Sequence, residues 1–157
     1  MSRGRNRSKL FESAKHEKSH ITHNTKENGG INEQEGETTR KTGARYELLA
    51  AVHLEKCGYR IIEKNYRCRI GEIDLVACDG AYLVFVEVKY RKNNKKGGAA
   101  AAVSTAKQKT ISRVADYYMK VHGICADQSV RFDVVAFDGE EMELIRDAFA
   151  YAGNVRF

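Results

Sequence analysis

The sequence has no run of about 18 consecutive apolar residues, the length a helix needs to cross a bilayer, so a helical membrane span is excluded. Its longest weakly polar stretch, residues 97–103, is mostly alanine and lies mid-chain. No apolar segment follows the basic start Met1-Ser2-Arg3-Gly4-Arg5, so no secretory leader is expected. The four cysteines, Cys57, Cys68, Cys78 and Cys125, form no CxxC pair or other spacing with a metal logic. Each has apolar neighbours, and the expectation is buried thiols without disulfides in a reducing cytoplasm.

Apolar residues are scarce at the start. Residues 1–42 contain only Met1, Leu10, Phe11, Ala14, Ile21 and Ile31, with no sustained periodicity. Such a segment cannot bury enough surface to offset its chain entropy, and a disordered basic and polar tail is expected over 1–42. One domain is expected over 43–157. The chain is 42% hydrophobic, enough for one modest core, and its net charge of +6 favours a polyanionic partner.

Within the domain, Ala50, Ala51, Leu54 and Cys57 recur at helical spacing and predict a helix over 44–57, ended by Gly58. Glu47 falls on that apolar stripe. Strands are predicted at 59–64, 72–78 and 83–90, the second alternating Ile73, Leu75 and Ala77 against Asp74, Val76 and Cys78. The third is apolar on both faces up to Glu87, which marks a central strand covered on both sides. A basic, glycine-containing loop leads to a helix over about 103–121 with the stripe Ile111, Val114, Ala115 and Tyr118. Strands at 129–137 and 141–146 follow, then a short helix or irregular end at 147–152. This αβββαββ order predicts an α/β fold with a mixed central sheet and a helix on each face.

The chemistry concentrates on the second and third strands. A four-residue loop at 79–82 would set Asp74 opposite Glu87, and a two-residue loop would set it opposite Phe85. Either register puts Asp74, Glu87 and Lys89 on one face, because strand side chains alternate with period two. Two carboxylates there demand a counter-charge, and hard oxygen ligands suit Mg2+ or Mn2+. Lys89 could orient a water or stabilise charge growing on a phosphate, and water activated by such a cation can attack phosphorus. Acids and a lysine on a sheet can also be a plain salt-bridged surface. Against that, Glu87 and Lys89 continue an apolar face, and Glu47 and Lys107 both sit on helix stripes otherwise committed to packing, with Lys107 either snorkelling its amine to water or reaching the same cleft to contact phosphate. Arg67, Arg69, Arg91, Lys92, Lys95 and Lys96 flank these residues in sequence, a basic rim suited to a phosphodiester backbone.

Gly43-x-x-x-Glu47, Gly58-Tyr59, Asn65-x-Arg67, Gly71-Glu72-Ile73-Asp74-Leu75, Val84-Phe85-Val86-Glu87-Val88-Lys89-x-Arg91 and Arg131-Phe132-Asp133-Val134-Val135, in that order, resemble the YraN-like family of small bacterial proteins. That family is assigned to the PD-(D/E)xK superfamily and is similar to archaeal Holliday-junction resolvases. The resemblance implies a restriction-endonuclease-like core and a Mg2+- or Mn2+-dependent endonuclease acting on nucleic acid, DNA before RNA, with branched DNA a natural substrate. It makes Asp74 and Glu87 metal ligands, with the Val88 carbonyl a candidate third. It makes Lys89 the catalytic lysine and Glu47 a further ligand or water-holder, and it implies a homodimer. The chain departs from the superfamily pattern in having no proline for the first motif, and in its long tail. Two other readings are a nucleic-acid-binding module that keeps the fold without turnover and a structural interaction protein.

Overall fold

A computed structural model describes residues 34–91, 103–139 and 141–153, with side chains from residue 41 onward except at residue 91. Helix α1 (Gln34–Lys56) leads into strands β1 (Arg60–Cys68), β2 (Gly71–Asp79) and β3 (Tyr82–Arg91). Helix α2 (Thr105–Val121) and strands β4 (Val130–Asp138) and β5 (Glu141–Ile145) complete the fold. The strands form one sheet in the order β1-β2-β3-β4-β5, antiparallel except for the parallel β3–β4 pair. The mixed α/β arrangement is the expected one and is consistent with a restriction-endonuclease-like core. A parallel pair needs a crossover, and α2 supplies it.

Two expectations need adjustment, for the tail and the thiols, and the irregular alternative holds at 147–152. The tail expected over 1–42 lies outside the described residues up to 33, but residues 34–42 belong to α1. They carry no apolar stripe, which is why composition placed them with the tail. Residues 147–152 form no helix or strand. All four thiols are free, but only Cys78 is buried. Cys57 lies past the end of α1 and Cys125 past the end of α2, where the apolar stripes have already left the core.

The helices cover opposite faces. On one, Ala50, Ala51 and Leu54 of α1 pack with Leu75, Ala77, Val84, Val86 and Val135. On the other, Ile111, Val114, Ala115 and Tyr118 of α2 pack with Val76, Leu83, Phe85, Phe132 and Val134. Each fully buried Val, Leu, Ile or Phe here contributes on the order of 1.5–3 kcal/mol, so these two clusters dominate the fold's stability. Among the described residues no helix is long and apolar enough to cross a membrane.

The expected alternation in β2 fails at one place. Leu75 and Ala77 pack with the α1 side, but Ile73 packs with the α2 side. Lys64 pairs with Leu75 and Tyr66 with Ile73, so Asn65 lies across from Asp74. Asn65 has φ 56, a left-handed conformation that asparagine tolerates better than most residues. That residue breaks the pleat at the level of Asp74.

The α1 face also holds a fully buried acid that sequence reading did not single out. Asp133 accepts hydrogen bonds from Tyr59 Oη (2.8 Å), Arg131 Nε (2.9 Å), Arg131 Nη2 (2.9 Å) and the Asp147 backbone N–H (2.9 Å). Arg131 also bridges to Asp79 at 2.7 Å. Burial and the Asp133 carboxylate push the Tyr59 phenol up to about 12. These bonds tie together the α1–β1 junction, the ends of β2 and β5, and β4. Asp133→Ala would remove the acceptor of Tyr59 Oη, the Asp147 N–H and one side of the Arg131 guanidinium, which keeps Asp79, and is expected to cost about 3 kcal/mol in urea unfolding. A loss below 1 kcal/mol would show that the network carries no weight.

Gly71, at the start of β2, sets how closely α2 approaches. A Cβ there would lie 2.8 Å from Thr110 Cγ2 and 3.5 Å from Val114 Cγ2. Thr110 cannot simply rotate away, because its hydroxyl donates to the Ala106 carbonyl at 3.1 Å. Gly71→Ala should therefore destabilise the fold by about 1–3 kcal/mol. Adding Thr110→Ser, which removes the clashing methyl, should restore only the steric part of that loss in a double-mutant cycle, because φ 159 at Gly71 strains any side chain there, whereas purely additive effects would rule the clash out.

Candidate metal centre on the central hairpin

Cys78 pairs with Leu83 and Leu75 with Val86, and one further step in this register sets Asp74 opposite Glu87. This is the longer of the two registers open to the sequence, although the loop itself is short because Asp79 and Tyr82 also pair. Val76 shares its face with Asp74, and Leu83 and Phe85 share theirs with Glu87. Both acids therefore lie on the α2 side.

Glu87 is buried, with 6% of its surface exposed. Lys107 Nζ lies 3.2 Å from its Oε2. The ammonium is placed as an ion-pair partner rather than an aligned donor, and Oε2 is the one buried side-chain oxygen or nitrogen without a hydrogen bond among the described residues. Lys107 occupies the first turn of α2, where its backbone N–H donates to the capping Ser104 hydroxyl at 3.3 Å. Asp74 is half-buried, and one carboxylate oxygen accepts a 2.7 Å hydrogen bond from the Val88 backbone N–H.

Burial dominates the electrostatics. It pushes the Asp74 carboxyl up, the Glu87 charge adds to the rise, and the Val88 N–H and Lys107 offset only part of it, so that Asp74 reaches about 7. Burial raises Glu87 as well, against the pull of Lys107 and Lys89. Two acids in one desolvated place cannot both ionise freely, so the pair favours any cation that reaches it.

The other expected site residues are placed less tightly. Lys89, two residues beyond Glu87, is exposed, though its charge still acts on Glu87. Glu47 comes from α1, on the opposite face of the sheet, and is half-buried. Tyr46 beside it stacks on Tyr90 at 4.2 Å between ring centroids and tilts against Phe137 at 4.8 Å, which fixes α1 near the end of β3. The Glu47 charge is felt at Asp74. Among the described residues, however, no three His, Cys, Asp or Glu side chains are gathered for one ion.

Of the basic rim, Arg67 and Arg69 are exposed around the β1–β2 turn, and Arg67 makes a 3.2 Å ion pair with the exposed Glu72. Glu72 in turn raises Glu87, a contribution the sequence reading missed. Arg91 closes β3, and Lys92, Lys95 and Lys96 lie outside the described residues.

The donor set fits a small hard cation. Mg2+ typically takes one or two carboxylates and keeps several waters, so two acids and an unsatisfied oxygen are enough without a third side chain. Among the described residues no thiol or imidazole joins this set, whose oxygens suit a hard cation rather than a soft one.

The raised Asp74 has a measurable consequence. It ionises near 3.8 when unfolded but near 7 in the fold, so the folded chain binds more protons across that window. Its contribution to stability is fully present below pH 3.8 and is lost as pH rises through 7. Asp74→Asn keeps an acceptor for the Val88 N–H but cannot ionise. Without divalent cations, wild type should therefore lose stability relative to Asp74→Asn between these pH values. Parallel urea midpoints for the two proteins would mean that the acid is not desolvated.

Residues 46–137 match the profile of the Uncharacterised protein family UPF0102. A UPF0102 protein of Lachnoclostridium phytofermentans is 46% identical over 112 residues, spanning 71% of this chain and 95% of the relative. One from Syntrophus aciditrophicus is 47% identical over 116 residues, covering 71% and 91%. Another, from Aeromonas hydrophila, is 47% identical over 108 residues, covering 68% and 83%. The matched segment contains Glu47, Asp74, Glu87, Lys89 and Lys107 together with Tyr59, Asp79, Arg131 and Asp133 of the buried network. The chain belongs to the UPF0102 family, the YraN-like family whose motifs its sequence resembles.

Proposed function

We propose that this protein is a Mg2+- or Mn2+-dependent endonuclease of the PD-(D/E)xK type, acting on structured or branched DNA. The observation that carries this reading is the desolvated Asp74–Glu87 pair, with Glu87 Oε2 buried and met by the Lys107 ammonium at 3.2 Å rather than by a closed set of hydrogen bonds. A purely structural acid would be expected to have its hydrogen bonds filled.

In this reading Asp74 and Glu87 hold the cation, which when bound supplies Lewis acidity and a more acidic water at neutral pH. The Val88 N–H fixes one Asp74 oxygen, leaving the other for the ion. Lys89, exposed next to the site, stabilises charge on the phosphate being attacked or orients the attacking water. Glu47, held in place by the Tyr46–Tyr90 stack, adds negative potential near Asp74 and serves as a water-holder or outer ligand. Arg67 and Arg69 contact the phosphate backbone, positioning the substrate without reading its sequence. The net charge of +6 supports a nucleic-acid substrate. The nuclease superfamily's dimeric members suggest a homodimer.

A second reading, a nucleic-acid-binding module without turnover, draws support from Lys107, which already neutralises part of the Glu87 charge. The two differ in metal dependence. Purified protein is assayed on linear, flapped and four-way DNA with Mg2+ or Mn2+. Endonuclease action predicts metal-dependent cleavage that falls by about a hundredfold or more in Glu87→Ala and Lys89→Ala. Salt-sensitive binding with no metal requirement, and identical background cleavage in wild type and both variants, would establish the binding module instead.

A further inference from the structure

Lys107 stands where a metal's charge would be needed. Its ammonium is 3.2 Å from Glu87 Oε2, and that oxygen has no other polar partner. The ammonium also lowers the cost of ionising Asp74, so one cation serves both acids. Among the described residues no further ion pair or side-chain hydrogen bond holds the lysine's ammonium. Its side chain remains one-third exposed, and the helix cap that anchors its residue uses the backbone N–H, not the ammonium. A long, flexible stem can swing its head into water at little cost.

We infer that Lys107 is a resident cation that competes with the divalent ion for Glu87, and that metal loading releases its ammonium from the acid pair. The inference rests on Asp74 and Glu87 being the metal site and adds a role for a residue that is not itself a ligand. Two cations cannot share one buried carboxylate oxygen without repulsion, so each weakens the other's binding, and this coupling is reciprocal. Lys107 keeps the acid pair from standing uncompensated before the metal arrives, and it lowers metal affinity by the same interaction. The first turn of α2 contains no acid, so no carboxylate there draws the ammonium away from Glu87 in the metal-free state.

The test uses the full chain and manganese alone. Mn2+ affinity is measured by water-proton relaxation for wild type and Lys107→Met at pH 8, so that protons compete little with the ion. The variant is expected to bind Mn2+ about five- to a hundredfold more tightly. Lys107→Gln repeats the comparison if methionine at this position impairs folding. Amine labelling followed by mass spectrometry gives a second readout on wild type. Lys107 should react several-fold faster when Mn2+ is added, while the remote Lys120 should not change. Equal or weaker Mn2+ binding by both variants, or an unchanged Lys107 labelling rate, overturns this inference while leaving the metal site standing. Mn2+ that binds neither wild type nor the variants overturns the inference together with the metal reading beneath it.

Discussion

Two carboxylates on one side of a central hairpin, removed from most of their water, are the constraint around which the α2 half of this protein is arranged. Desolvating a carboxylate costs several kcal/mol unless a proton, a cation or a set of hydrogen bonds compensates. Here Asp74 receives one backbone N–H and Glu87 one ammonium, and both acids still sit above their ordinary range. The sheet cannot relieve this by turning either side chain outward. A slip of one residue in β2 or β3 would send Val76 or Phe85 to the wrong face along with the acid. The apolar register therefore holds the acids together, and the unfavourable charge is sustained by the packing of the residues on either side.

Asp133 shows that this fold can bury an acid without leaving it wanting. It lies one strand away, on the α1 face, with none of its surface exposed, and it accepts four hydrogen bonds, two of them from one guanidinium. Glu87 is nearly as buried, yet one of its oxygens accepts none. Burial alone does not explain that difference, because both residues lie on central strands under a helix. Asp133 is finished as a structural element, its neighbours chosen to close every valence around it. The Asp74–Glu87 pair lacks such a closed network, and in the proposed reading that asymmetry separates a cation site from a strut. It also gives the Arg131-Phe132-Asp133 segment a role outside the chemistry: it braces the other face of the same sheet.

Much of this was legible in the sequence. Period-two patterning in β2 and β3 put Asp74 and Glu87 on a common face in either register, and period-3.6 patterning put Lys107 on the packing stripe of α2. Both signals are local, and both follow from backbone geometry. What could not be read depended on distant partners. Asp133 looked like an ordinary acid in a strand because its partner Tyr59 lies 74 residues away. The ion pair between Lys107 and Glu87 needed the crossover from β3 to α2 to bring them together. The departure of Ile73 from alternation arose from the left-handed Asn65 on the neighbouring strand, which no pattern within β2 records. The early start of α1 was hidden because residues 34–42 have no apolar face, and periodicity detects only helices that bury one side.

The reach of Lys107 is set by a glycine far from it in sequence. Its ammonium reaches Glu87 from the first turn of α2, and the following turn lies close to Gly71, where a side chain would meet Thr110. Thr110 is three residues beyond Lys107, less than one helical turn. An added methyl at Gly71 would have to tilt or lift that turn, and the displacement would be felt at Lys107 before it reached the rest of the helix. Gly71 is also three residues before Asp74 on the same strand, so one close contact fixes both the acid's strand and the helix carrying its counter-charge. The spacing between Gly71 and Asp74 in the sequence motif then has a physical reading: the glycine seats the helix, and the helix delivers the lysine to the acids. A change that moved α2 by an ångström would leave both carboxylates in place, yet remove the cation that contacts Glu87 directly.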